Sequence, residues 1–104
     1  MNNDELGLWE DVLAYLQANH VGAANAVQRL DLACVFGVTE SDVTTIVHKL
    51  RSLCQPVCHD ENGYFYAENG DEISDTILQL CYEISKINST IQSLVISHQW
   101  VQSP

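Results

Sequence analysis

Residues 30–53 read LDLACVFGVTESDVTTIVHKLRSL, two short helical patterns on either side of Phe36-Gly37-Val38-Thr39. Leu32, Ala33 and Phe36 recur at helical spacing, and Val43, Ile46, Val47 and Leu50 do so again. Gly37 offers the left-handed residue that ends a first helix. Thr39, with Asp42 three residues on, reads as an N-cap with an acid near the start of a second helix. A small residue at Ala33, a glycine corner four residues later and a β-branched residue at Val43 give the spacing of a helix-turn-helix. The small residue lets the helices approach, and the branched one fills the gap between them. An ordinary corner between two helices shares this pattern, so the flanking segments have to decide.

Downstream the apolar period changes from 3.6 to 2. Pro56-Val57-Cys58 and Tyr64-Phe65-Tyr66-Ala67 flank His59-Asp60-Glu61-Asn62-Gly63, and Asn-Gly between β-prone runs predicts a hairpin turning at Asn62-Gly63. Upstream, Leu8, Trp9, Val12, Leu13 and Leu16 form an apolar stripe that predicts an amphipathic helix over about residues 8–19. Residues 1–7 are polar and are expected to fray. His20-Val21-Gly22 breaks this helix, and Ala23 to Gln28 is a connector in which Val27 suits a short strand. The two helices of the corner are expected over about 29–36 and 40–53. Three helices followed by a hairpin make a winged helix. The expected fold is therefore mainly α with a small β-hairpin, a winged helix-turn-helix over 1–68.

A long helix follows from about Gly70, with Asn69 as its cap and Glu72 at the third helical position. Ile73, Ile77, Leu80, Ile84, Ile87, Ile91 and Leu94 alternate spacings of four and three. Ile77, Ile84 and Ile91 take the a positions of a heptad, and Ile73, Leu80, Ile87 and Leu94 take d. No glycine or proline interrupts residues 71–101, giving a rod of roughly 46 Å. Such a rod outruns a small domain and leaves isoleucines in water. Residues 69–104 are thus read as a coiled-coil-like oligomerisation helix, with Ile84, Ile87, Ile91 and Leu94 as the interface of a homo-oligomer, a dimer favoured. The flanking positions Cys81, Glu83, Asn88, Thr90 and Val95 carry almost no charge, so direction and copy number stay open.

Composition sets a conflict. The chain has 104 residues with 14 acids against 4 bases, a formal charge of −10. That charge repels phosphate backbones, whereas a DNA binder ordinarily carries a basic patch. The four cysteines show no disulfide spacing and fit a reducing compartment. Cys34 and Cys81 sit within apolar patterns and read as core residues. Cys54, Cys58 and His59, with His48 upstream, lack the paired spacing of a zinc site, so neither metal nor cofactor is expected. With no strained nucleophile turn and no phosphate loop, no catalytic residue and no enzyme activity are expected. No apolar run spans a bilayer and no basic-then-apolar leader opens the chain, so a soluble protein without a membrane partner is expected.

In this order of elements the chain resembles the small winged-helix proteins of bacteriophages and prophages, over roughly residues 8–94. The residues that carry the resemblance are His20-Val21-Gly22, Asn25-Ala26-Val27, Leu32-Ala33, Phe36-Gly37-Val38, Leu50-Arg51, Pro56-Val57 and Gly63-Tyr64-Phe65-Tyr66-Ala67-Glu68. The resemblance implies a DNA-binding or regulatory role in the cytoplasm of a bacterial host cell. It places Thr39, Ser41, Thr44, Thr45 and His48 toward the major groove, with Lys49, Arg51 and Arg29 left to neutralise phosphates. The chain departs from the family where bases are usual. The second corner helix presents Glu40 among its hydroxyls, and the hairpin tip reads His59-Asp60-Glu61. Two targets therefore stand side by side: DNA, or a protein bound by an acidic inhibitor or DNA-mimic-like adaptor.

Overall fold

The computed structural model describes residues 3–102, with side chains from Gly7 to Gln102. The first helix, α1, spans Asn3–Asn19. It buries Val12 and Leu16 fully and holds Leu8, Trp9 and Leu13 half-buried beside them. The helix starts before the expected residue 8. A single exposed glycine costs a helix only about 1 kcal/mol, and Gly7 is carried within α1. α1 thus takes in residues 3–7, while Met1 and Asn2 lie outside the described residues.

α2 (Arg29–Phe36) and α3 (Glu40–Ser52) meet at the predicted corner. Gly37 takes the left-handed conformation, φ 64°, and the Val38 N–H donates to the Ala33 carbonyl at 3.0 Å. The Thr39 hydroxyl accepts from the Asp42 N–H while the Asp42 carboxylate accepts from the Thr39 N–H, both at 3.0 Å. Two orphan donors at the start of α3 are satisfied reciprocally. Leu16 of α1, Leu32 and Ala33 of α2, and Val43, Ile46, Val47 and Leu50 of α3 close the core. Cys34 faces solvent, as does Cys81 farther on, so both expectations of a core cysteine are wrong. α2 has too few turns to bury more than Leu32 and Ala33, and Cys81 lies on a helix that has begun to leave the body.

β1 (Val57–Asp60) and β2 (Gly63–Tyr66) pair antiparallel, Val57 opposite Tyr66 and Cys58 opposite Phe65. The loop residues are Glu61 and Asn62, one position earlier than the expected Asn62-Gly63. Asp60 explains the shift, since its carboxylate accepts from the Asn62 N–H at 2.8 Å and closes a local turn. Gly63, φ 123°, serves close approach instead, because a Cβ there would overlap the Val27 carbonyl. Val27 and Tyr64 exchange both backbone hydrogen bonds at 2.8 Å, so the connector supplies the strand-like residue expected of it. The aromatic run then divides by face. Tyr64 and Tyr66 pack with Val57 on the helical core. Cys58 and Phe65, both buried, share the opposite face.

α4 (Gly70–Gln102) covers that opposite face with its first turns only. Thr76 is its one buried residue, beside the Cys58 thiol, whose pKa burial pushes up. Glu72 fixes the start, accepting the Glu68 N–H and the Ala23 N–H, each at 2.7 Å. One carboxylate thus ties α4 to the connector across the chain. Beyond Glu83 the helix projects from the body, and the molecule measures 60 × 34 × 23 Å. The described structure is mainly helical with a two-stranded antiparallel hairpin and a long C-terminal helix. None of its helices is long and apolar enough to cross a membrane.

Gly63→Ala should destabilise the fold by about 1–3 kcal/mol, read as a lower urea midpoint, because the new methyl group separates Val27 from Tyr64. An unchanged midpoint would show that the connector does not need this close approach.

Candidate functional site

α3 presents one side to solvent because Val43, Ile46, Val47 and Leu50 turn the other inward. Thr39, Ser41, Thr44, Thr45 and His48 are exposed there, and Lys49 is half-buried at the edge. The structure therefore brings six of the seven candidate DNA contacts onto or beside one outer surface. Apart from Lys49 at the edge, they offer hydroxyl groups and one imidazole. The Thr44 hydroxyl donates to the Glu40 carbonyl at 3.2 Å and that of Thr45 to Ser41 at 3.1 Å. A base or phosphate must compete with these bonds for either proton.

The seventh residue, Arg51, is directed elsewhere. Its Nε donates to the Val57 carbonyl at 2.8 Å, and its terminal amine bonds His59 Nδ1 at 2.9 Å. A guanidinium can only donate, so His59 Nδ1 accepts and the ring proton sits on Nε2. That nitrogen lies 3.7 Å from a Glu83 carboxylate oxygen. Burial lowers the pKa of Arg51 from its ordinary value, and Tyr64, Cys58 and Glu83 offset part of that effect. Arg51 thus clamps α3 to β1, and through His59 the clamp reaches α4.

Arg29 is also engaged, with its Nε 3.3 Å from Glu40 Oε1. Both side chains are about half exposed, at 52% and 48%, so solvent screens the pair and its worth is at most about 1 kcal/mol. Its effect on the surface is larger than its energy. It covers a base of the candidate interface with the acid that opens α3. Arg29, Glu40, Arg51, His59, Asp60 and Glu83 line an open groove of about 470 Å³ between α2, the hairpin and α4. Paired charges line much of this groove, and acids form the hairpin tip.

The second candidate surface is the projecting half of α4. Ile84, Ile87, Ile91 and Leu94 are between 52% and 64% exposed, aligned on one face of the helix. Sequence reasoning did not find His59 and Glu83 as partners of Arg51, nor the reach of Glu72 to Ala23. These contacts join residues 49 apart in the Glu72 case, and no spacing along the chain encodes them. No family model, curated protein or solved structure matches this chain.

Arg51→Ala should cost about 1–3 kcal/mol of stability, since the Val57 carbonyl and His59 lose a charged donor. Lys49→Ala should stay within about 0.5 kcal/mol. Chemical denaturation of both variants checks this, and equal midpoints would remove Arg51 from the role of clamp.

Proposed function

We propose that this chain is a non-enzymatic regulatory protein of the winged-helix type, acting on duplex DNA through α3 and only as an oligomer joined through α4. The observation that carries the reading is the capped, outward-facing α3. It follows a tight left-handed corner at Gly37, with the hairpin held beside it. Helix, connector, corner, hairpin and long helix also stand in the order that the resemblance to small phage winged-helix proteins requires. α3 would enter the major groove with Ser41, Thr44, Thr45 and His48, while Lys49 meets backbone.

Self-association supplies what one subunit lacks. Moving the half-exposed Ile84, Ile87, Ile91 and Leu94 into a dry seam is worth roughly 1 kcal/mol or more apiece. Two subunits double a small number of groove contacts, and paired half-sites follow from the symmetry. A second reading, a protein partner bound by an acidic adaptor, is favoured by one specific observation. Arg51 and Arg29 are both engaged within the chain, and Glu40, Asp42, Asp60 and Glu61 stand where phosphates would pass. Acids this close to a phosphate act within a Debye length of about 8 Å and are poorly screened.

Salt titration of binding to random-sequence duplex, alongside selection from random oligonucleotides, separates the two. The expected outcome is negligible generic affinity at about 150 mM salt, with a selected site whose binding vanishes in an Ile87→Asp, Ile91→Asp variant that sediments as a monomer. Tight, steeply salt-dependent generic binding would show that the net charge has been weighted too heavily. Absence of binding at low salt, with no enriched site, would transfer the assignment to a protein target.

A further inference from the structure

The direction of the α4 assembly is written in where the body sits on it. Ile73, Thr76, Ile77 and Leu80 face Pro56, Val57 and Cys58 across a shallow apolar pocket, and Glu83 reaches His59. At 3.6 residues per turn, this is the same side of the helix that carries Ile84, Ile87, Ile91 and Leu94 farther along. Thr76 is buried and Leu80 half-buried there, while Ile73 and Ile77 stay 37% and 54% exposed at the rim, so the stripe only begins against the body and then continues, uncovered, into solvent. The continuation also changes in charge. All 14 acids lie at or before Glu83, the last base is Lys86, and residues 87–104 contain no Asp, Glu, Lys or Arg.

We infer that α4 binds a second copy of this chain antiparallel, tail against tail, with Ile84 opposite the partner's Val101 and Ile91 opposite the partner's Leu94. The inference rests on the self-association proposed above and specifies its geometry. An in-register parallel partner would have to seat its own helix beside Thr76, Leu80 and Glu83, where β1 already lies. It would also set two bodies of like charge side by side. The antiparallel arrangement avoids both, because each body then lies beyond the end of the other helix.

Heptad chemistry fixes the register. Antiparallel helices place an a residue opposite a d residue, which allows only shifts of whole heptads. His98 and Val101 extend the pattern as a and d. The shift that sets the full described projecting half of one α4, residues 84–102, against that of the other gives the layers Ile84–Val101, Ile87–His98 and Ile91–Leu94. Each layer occurs twice about the two-fold axis. The partner helix then ends beside Glu83, where the body begins. A seam that lacks charge and matches itself under a two-fold rotation fits a second copy, the commonest closed assembly. A basic partner would find no acid there to engage.

Disulfide trapping tests the pairing in full-length protein whose exposed Cys34, Cys54 and Cys81 are changed to Ser. The Ile84→Cys, Val101→Cys double variant should oxidise to a covalent dimer, because its two thiols are about 26 Å apart within one helix and can meet only between chains. Each single variant alone should remain uncrosslinked, and a mixture of the two should give the mixed dimer. A spin label at Gln79→Cys, outside the seam, gives a second readout that leaves the isoleucines intact. The expected label separation is about 40 Å for this register, against roughly 20 Å for a parallel pair. Ready crosslinking of Ile84→Cys to itself, or the short distance, would overturn the antiparallel assignment while leaving self-association standing. A wild-type chain that sediments as a monomer at high micromolar concentration would overturn self-association itself.

Discussion

The hairpin and what packs on it depend on four backbone hydrogen bonds between residues 20–27 and β2. Gly22 and His20 bond Tyr66, and Val27 exchanges two bonds with Tyr64. A two-stranded hairpin in water is marginal by itself. Here the connector acts as a partial third strand and presses one face of the hairpin onto the helical core. The other face is then available to α4, and Cys58, Phe65 and Thr76 are buried between them. Gly63 is the residue that lets the connector come this close. Removing that approach would disturb the hairpin, the seat of α4 and the direction in which α4 projects.

Charge is distributed as an economy of few bases. Arg51 is drawn inward by the Val57 carbonyl and His59, and Arg29 is matched by Glu40. Lys86 lies 5.3 Å from the Tyr82 ring centroid on α4. A surface built this way gives little long-range attraction to a polyanion. In the proposed DNA-binding role, recognition by α3 would rest on hydroxyl groups and shape, with the number of subunits supplying affinity. The same economy suits a basic protein surface, which is why the two targets differ by experiment more than by fold.

Local physics made much of the fold legible in the sequence. The Thr39–Asp42 cap, the Gly37 corner, the apolar repeats of α1 and α3 and the change to period 2 at Pro56 are all short-range signals. Where local signals competed, the reading slipped. Asn62-Gly63 favoured one turn, yet Asp60 and the approach of Val27 moved the loop by a residue. The outward set Thr39, Ser41, Thr44, Thr45 and His48 followed from helical periodicity alone. Arg51 did not, because a half-buried arginine is placed by a carbonyl and a ring that only folding brings near. Cys34 and Cys81 failed for a related reason: an apolar pattern says which side of a helix is greasy, and only the packing says how far the cover extends.

The segregation of charge along α4 has a consequence of its own. All 14 acids sit at or before Glu83, so the chain has a charged head and a rod-like tail with an apolar stripe open to water. That is the architecture of a surfactant. Such molecules stay dispersed below a threshold concentration, associate through their tails above it, and stop growing when the heads crowd. If the tails associate as proposed, the bulk of the body would limit how many can meet, as head-group size limits a micelle, and a pair is the smallest such set.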